Sequence, residues 1–287
     1  MAIRRLLVGA GIFALIVPVA ALAEFPKLEQ LCINKINKDA VKVLAAQLKV
    51  NDGCVKDEVK KGTDGDACMD LDAKGKVLKK RAKTVSDEMK KCTANPPSAF
   101  YTSAVIANDA AEAAGKALHR DAFGAGLAAL QSCDTNPEEC LCQRKAINRV
   151  TKLERTLTKL WLKCKKAAMK NGKDPFTSGG AELNSDLQQC ITNGALPGGL
   201  SVESDTKGKV VKATSQLSAT ATQFCGAGTE DEFAGGACGG FSTPPTIDGP
   251  GLASCLRDQA QCRFCEMVNT VDALSTDCNA WVGITCP

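Results

Sequence analysis

Histidine is almost missing from this chain, and aromatic side chains are scarce. There is one histidine, His119, one tyrosine, Tyr101, and two tryptophans, Trp161 and Trp281, and the aromatic share is 4%. A single histidine excludes a Cys-x-x-Cys-His series for covalent haem, a His-Glu-x-x-His zinc protease site and any multi-histidine copper or iron centre. So few rings leave no stacking platform for single-stranded nucleic acid or carbohydrate. Alternating apolar and polar positions are absent, so no segment reads as a half-buried β-strand. Beyond the N-terminal stretch, no apolar run approaches the ~20 residues of a membrane-spanning helix. Charge of one sign is lacking too: 36 Lys and Arg face 32 Asp and Glu, a balance that makes no case for nucleic acid as a specific ligand.

Cysteine, by contrast, is plentiful. Sixteen is an even count, which in an oxidising compartment reads as a disulfide framework. The N-terminus points to such a compartment. Arg4 and Arg5 precede the apolar stretch Leu6–Val19, and Ala21-Leu22-Ala23 follows. A basic n-region, an h-region and an A-x-A site make residues 1–23 a cleavable signal peptide. No cysteine follows the cut to take a lipid. Losing Arg4 and Arg5 lowers the formal net charge from +4 to +2. The expectation is an exported, nearly neutral protein, periplasmic or extracellular, with no transmembrane segment after cleavage.

An internal repeat organises the rest. Leu31-Cys32 matches Leu141-Cys142, and the next cysteines in register, Cys54 and Cys164, each lie 22 positions on. Between them Lys35 matches Lys145, Lys42 matches Lys152 and Lys49 matches Lys159. Asp72-Ala-Lys-Gly-Lys-Val-Leu-Lys79 then matches Asp205-Thr-Lys-Gly-Lys-Val-Val-Lys212, a register that continues to Cys92 and Cys225. The unit is a cysteine quartet, 32/54/68/92 and 142/164/190/225, with longer loops in the second copy. The divisions read as signal peptide 1–23, helical repeat 24–98, connecting helical segment 99–141, second repeat 142–225, Gly/Pro-rich linker 226–254 and cysteine-rich tail 255–287.

Within the repeats the periodicity is helical. Cys142, Ala146, Val150, Leu153, Leu157, Leu160, Cys164 and Ala168 follow the alternating three-and-four spacing of an amphipathic helix, and Leu78, Ala82, Val85, Met89 and Cys92 follow it in the first copy. Asp72 and Asp205 stand where an aspartate accepts hydrogen bonds from the free N–H groups of a helix start. Asn95-Pro96-Pro97 and Asp174-Pro175 break the helices. Leu256, Ala260, Phe264, Val268 and Val271 suggest a further short helix. The fold class is all-α: two disulfide-stapled antiparallel helical hairpins plus a short cysteine-rich C-terminal region.

Helical geometry constrains the bridges. Twenty-two residues rise roughly 33 Å, so Cys32 and Cys54 on one helix cannot bond each other across the ~7 Å limit between Cα atoms. Both lie on one face and need partners on a neighbouring helix. An antiparallel return helix brings Cys92 to Cys32 and Cys68 to Cys54. In the second copy it brings Cys225 to Cys142 and Cys190 to Cys164. Such bridges are worth about 3–4 kcal/mol each in the chain-entropy model, comparable with the ~5–15 kcal/mol stability of a whole domain. Cys133, Cys140, Cys238, Cys255, Cys262, Cys265, Cys278 and Cys286 stay unassigned. Five of them lie between 255 and 286, so at least one must reach outside the tail, with Cys238 the nearest partner.

Four constellations could carry chemistry. Cys262-Arg-Phe-Cys265 could exchange disulfides, or bind zinc with a second pair; no strand precedes it as in a redox enzyme, and structural bridging is the favoured reading. His119-Arg-Asp121 invites comparison with secreted cysteine-rich helical phospholipases, but paired cysteines do not precede this histidine and no Gly-x-Ser-x-Gly elbow exists. A solvated histidine on a helix surface is expected instead. Asp64-Gly-Asp66 and Asp70-Leu-Asp72 resemble a calcium loop, yet Lys74 and Arg81 occupy its fifth and twelfth positions. Polar loop and helix cap are expected there. Lys74, Lys76, Lys79, Lys80, Arg81 and Lys83 could form an anion-binding patch, against a default of a solvated helix face.

The signal peptide, the Leu-Cys openings, the Asp-x-Lys-Gly-Lys-Val helices ending in cysteine and the Cys-x-x-Cys tail together resemble secreted lysine- and alanine-rich, cysteine-containing helical repeat proteins of environmental bacteria. The resemblance implies a shape and a location, and carries over no catalytic residue. The expectation is an exported scaffold or binding protein, not an enzyme, with no cofactor and no metal. Its partner would be an anionic envelope or extracellular polymer, or another protein. The alternative is a periplasmic thiol-redox or metal-binding protein using Cys262 and Cys265.

Overall fold

The computed structural model describes residues 26–94, 96–97, 99–127, 129–169, 183–192, 202, 205, 207–225, 233, 236–238 and 249–286. The signal peptide and the Asp174-Pro175 break lie outside them. The described elements are helical, with no strand among the described residues. They are α1 (Lys27–Lys61), α2 (Gly65–Leu71), α3 (Lys76–Lys91), α4 (Ala104–Phe123), α5 (Pro137–Ala168), α6 (Leu183–Thr192), α7 (Lys209–Phe224), α8 (Gly249–Asp272) and α9 (Cys278–Val282), with a 3-10 turn at Ala125–Leu127.

Local chemistry sets the ends of these helices. α1 stops at Gly62, whose φ of 64° allows its N–H to return to the Glu58 carbonyl at 2.8 Å, a left-handed cap that costs glycine little. Before α3, Gly75 takes φ 57° and the Asp72 carboxylate accepts from the N–H groups of Lys76, Val77 and Leu78 at 2.8–3.0 Å. Gly208 and Asp205 do the same for α7, with Asp205 Oδ2 accepting from Val210 N at 2.7 Å. Both aspartates cap as their position in the sequence implies.

α1 and α5 are the two long struts. α1 packs against α2, α3, α4 and α5, while α5 packs against α6, α7 and α8. All eight residues of the α5 stripe from Cys142 to Ala168 are buried. α4, read as connecting segment, is a core element: Ala104, Ala107, Ala111, Ala114 and Leu118 bury its face, and a Cβ on Gly115 would lie 3.0 Å from Gln47 Cγ of α1. Small residues let these two helices approach closely.

The structure departs from the expectation at α3. Leu78 is 68% exposed and Met89 64%, whereas Val77, Thr84 and Asp87 face inward. The ion pair between Asp87 and Lys35 of α1, together with the bridge at Cys92, orients the helix, so Leu78 and Met89 of its apolar stripe point to solvent. The C-terminal boundaries also shift. α8 begins at Gly249, inside the stretch read as linker, and runs 24 residues. Within that stretch Phe233 is buried and stacks on Phe123, ring centroids 5.6 Å apart. At Gly236 a Cβ would collide with the Ala122 carbonyl oxygen.

All sixteen cysteines are paired. The quartets form Cys32–Cys92 and Cys54–Cys68, and Cys142–Cys225 and Cys164–Cys190, with Cα separations of 4.8–5.7 Å. The remainder form Cys133–Cys140, Cys238–Cys255, Cys262–Cys286 and Cys265–Cys278. Cys238 is the bridge that lets the odd tail close.

Candidate functional site

Cys262 and Cys265 lie one turn apart in the middle of α8, both buried and bonded to different partners. They staple the C-terminal segment and α9 to α8. Thiol exchange and metal binding both require a thiolate, and these sulfurs are held in structural bonds.

His119 departs from its expected surface position: it is wholly buried. Its Nδ1 lies 3.3 Å from both Asn51 Nδ2 and the Gly115 carbonyl, and Nε2 lies 3.4 Å from Asp52 Oδ1. Asp121 is engaged elsewhere, taking Arg263 Nε at 2.6 Å and Nη2 at 2.8 Å. The two side chains of His119-Arg-Asp121 are not brought together. The carboxylates of the calcium-like stretch are spent on structure as well. Asp64 caps α2 through Ala67 N at 2.9 Å, Asp66 and Asp70 hold Arg120, and Asp70 also pairs with Lys116. Among the described residues no three ligating groups converge as a metal site would require.

The core contains ionisable groups that composition did not reveal. Lys165 of α5 pairs with Asp272 of α8, and Asn37 Nδ2 of α1 donates to the same carboxylate at 2.6 Å. Burial pushes the Lys165 ammonium down and the Asp272 carboxyl up, so each depends on the other for its charge. Glu154 is buried with neither carboxyl oxygen hydrogen-bonded among the described residues. Burial, helped by nearby Asp121, holds its carboxyl well above the usual carboxylate range.

The lysine run on α3 is solvated in part: Arg81 is taken by Asp109 and Glu112, and Lys83 by Asp87. The uncompensated charge sits in the second half of the molecule. A groove of about 500 Å³ between α5 and α7 is lined by Lys152, Arg155, Lys159 and Lys163 on one wall and Lys209 and Lys212 on the other. Among the described residues no acid lines it, and none of these six cations is a member of an ion pair there. An adjoining hollow of about 740 Å³ between α1 and α5 shares Lys152 and adds Lys49, Lys56, Arg144 and Lys145. Its one carboxylate, Asp52, is turned toward His119 and Thr151.

Helical spacing explains the groove. The inward stripe of α5 is apolar, so its cations at 152, 155, 159 and 163 share the opposite side at steps of three and four. The Cys142–Cys225 bridge and the Asp205 cap bring Lys209 and Lys212 alongside. Among known protein families, characterised proteins and solved structures, none matches this chain.

Proposed function

We propose that the protein is an exported, disulfide-stabilised helical scaffold that acts by binding an anionic envelope or extracellular polymer, without catalysis. The observation that carries this reading is the α5–α7 groove, in which cations converge and, among the described residues, no acid answers them. Holding like charges together costs stability, and a negatively charged partner offsets that cost. The fold would be two copies of one stapled hairpin, α1 to α3 and α5 to α7. Matched bridges, matched aspartate caps and matched left-handed glycines at 75 and 208 support that duplication. The resemblance to secreted lysine- and alanine-rich repeat proteins supports the exported location, as do eight bridges, which persist in oxidising compartments. Among the described residues, no helix is long and apolar enough to cross a membrane.

The test is retention of envelope and extracellular polymer fractions on the immobilised oxidised protein. Retention released by salt is expected; salt-insensitive retention, or none, would overturn the reading. Intact mass before and after alkylation addresses the alternative built on Cys262 and Cys265. The scaffold reading expects no thiol to react without reductant, whereas two or more alkylated sites would favour redox or metal chemistry.

A further inference from the structure

We propose that the α5–α7 groove takes a linear acidic polysaccharide, an assignment that rests on the binding function proposed above and names its ligand. A charge exchange between two equivalent places carries it. Lys35, Asp39 and Lys42 follow Cys32 at the same intervals at which Lys145, Arg149 and Lys152 follow Cys142. On the return helices, Lys83 and Asp87 precede Cys92 as Gln216 and Thr220 precede Cys225.

In the first place every lysine has a carboxylate partner, two acids serving three lysines. Asp39 pairs with Lys35 and with Lys42 at 2.6 Å, and Asp87 pairs with Lys35 and with Lys83 at 3.0 Å. In the second place both carboxylates are gone. Arg149 stands for Asp39 and hydrogen-bonds Thr220 at 3.2 Å and Gln216 at 3.0 Å. Lys145 lies over the Phe224 ring, 5.3 Å from its centroid. The lysines at 145 and 152 are kept while the acids that would neutralise them are replaced, one by a further cation. The replacement adds self-repulsion to the fold, which an anionic ligand seated on these cations would offset.

The shape of the charge selects the ligand. Along α5, Lys145, Arg149, Lys152, Arg155, Lys159 and Lys163 recur every three or four residues, spanning about 27 Å at roughly one cation per 5 Å. Such a line suits a linear chain carrying one acidic group per sugar. Nucleic acid fits less well. Among the described residues no aromatic ring lines the α5–α7 groove for bases to stack on.

The experiment titrates the full oxidised chain into fluorescein-labelled heparin, labelled polygalacturonate and a short labelled DNA duplex, read by anisotropy at low salt. The variant Lys152→Gln/Lys159→Gln/Lys163→Gln removes three exposed groove charges. Lys60→Gln/Lys79→Gln/Lys90→Gln removes three exposed charges elsewhere, and circular dichroism checks that both fold. Both polysaccharides are expected to bind, with the groove variant weakened on the order of a hundredfold and the other variant less than about threefold. Equal losses in the two variants would overturn the groove as the site. DNA bound more tightly than both polysaccharides would overturn the ligand class and leave the binding function standing. No binding to any of the three would overturn the ligand assignment; the binding function then falls only if envelope and extracellular fractions are also not retained.

Discussion

Replacing Lys165 by methionine would remove the ammonium from a fully buried ion pair joining α5 to α8. The Lys165 and Asp272 side chains are 1% and 0% exposed, and Asp272 keeps only the Asn37 amide once the lysine is gone. Its second carboxyl oxygen has no hydrogen bond among the described residues. Leaving a carboxylate so poorly satisfied costs about 3–5 kcal/mol, against a total stability of ~5–15 kcal/mol. The favourable stacking of Lys165 over Trp161, 5.3 Å to the ring centroid, is lost as well. The stranded carboxyl escapes part of the penalty by taking up a proton, so the deficit should shrink as pH falls toward the ordinary carboxylate range. Changing both partners, Lys165→Met with Asp272→Leu, removes both buried charges but leaves the buried Asn37 amide without its acceptor, so stability should recover to within about 1–3 kcal/mol of the parent. Urea titration of the oxidised chain, followed by far-ultraviolet circular dichroism at two pH values, measures all of this. A single variant within about 1 kcal/mol of the parent at neutral pH, or a double variant as damaged as the single one, would refute the reasoning.

Three further perturbations probe other levels of the structure. Glu154 has its folded pKa raised, so it contributes stability below its unfolded value that disappears as pH climbs through the folded one. Glu154→Gln should gain on the parent as pH rises from about 4 to 8, and parallel stability curves over that range would contradict the burial argument. Cys142→Ser/Cys225→Ser opens a sequence separation of 83 residues and should cost about 4.5 kcal/mol, while Cys54→Ser/Cys68→Ser opens 14 and should cost about 3; thermal midpoints in the reverse order would count against the chain-entropy account. Gly53 lies within α1 with nothing within 4 Å of an added Cβ, so Gly53→Ala should raise stability by up to about 1 kcal/mol, and a thermal midpoint below the parent's would contradict this.

Much of this molecule was legible because cysteines and long apolar stripes are strong signals. The α5 stripe from Cys142 to Ala168 is read directly from its spacing, and 22 residues of helix leave each quartet a single antiparallel solution. α3 misled because its inward face is held by Asp87 and Cys92 while Leu78 and Met89 face water; hydropathy cannot see an interface made of ion pairs. His119 misled for a related reason. α4 carries alanine all round, so apolar contrast does not mark which side meets α1, and a buried histidine looks like a surface one. The buried Lys165, Asp272 and Glu154 were invisible because their burial depends on how α5, α8 and α1 meet. The groove does have a signal in the sequence. It lies in the mismatches between the two halves, Asp39 against Arg149 and Asp87 against Thr220.

Those two mismatches supply the most direct test of the account. Arg149→Asp/Thr220→Asp restores to α5 and α7 the acids that α1 and α3 carry, placing carboxylates beside Lys145 and Lys152 as Asp39 and Asp87 stand beside Lys35 and Lys42. Anisotropy with labelled heparin at low salt should then show affinity reduced on the order of a hundredfold in a chain whose circular dichroism is unchanged. Undiminished affinity in that folded variant would contradict the claim that the uncompensated charge between α5 and α7 is what the protein binds with.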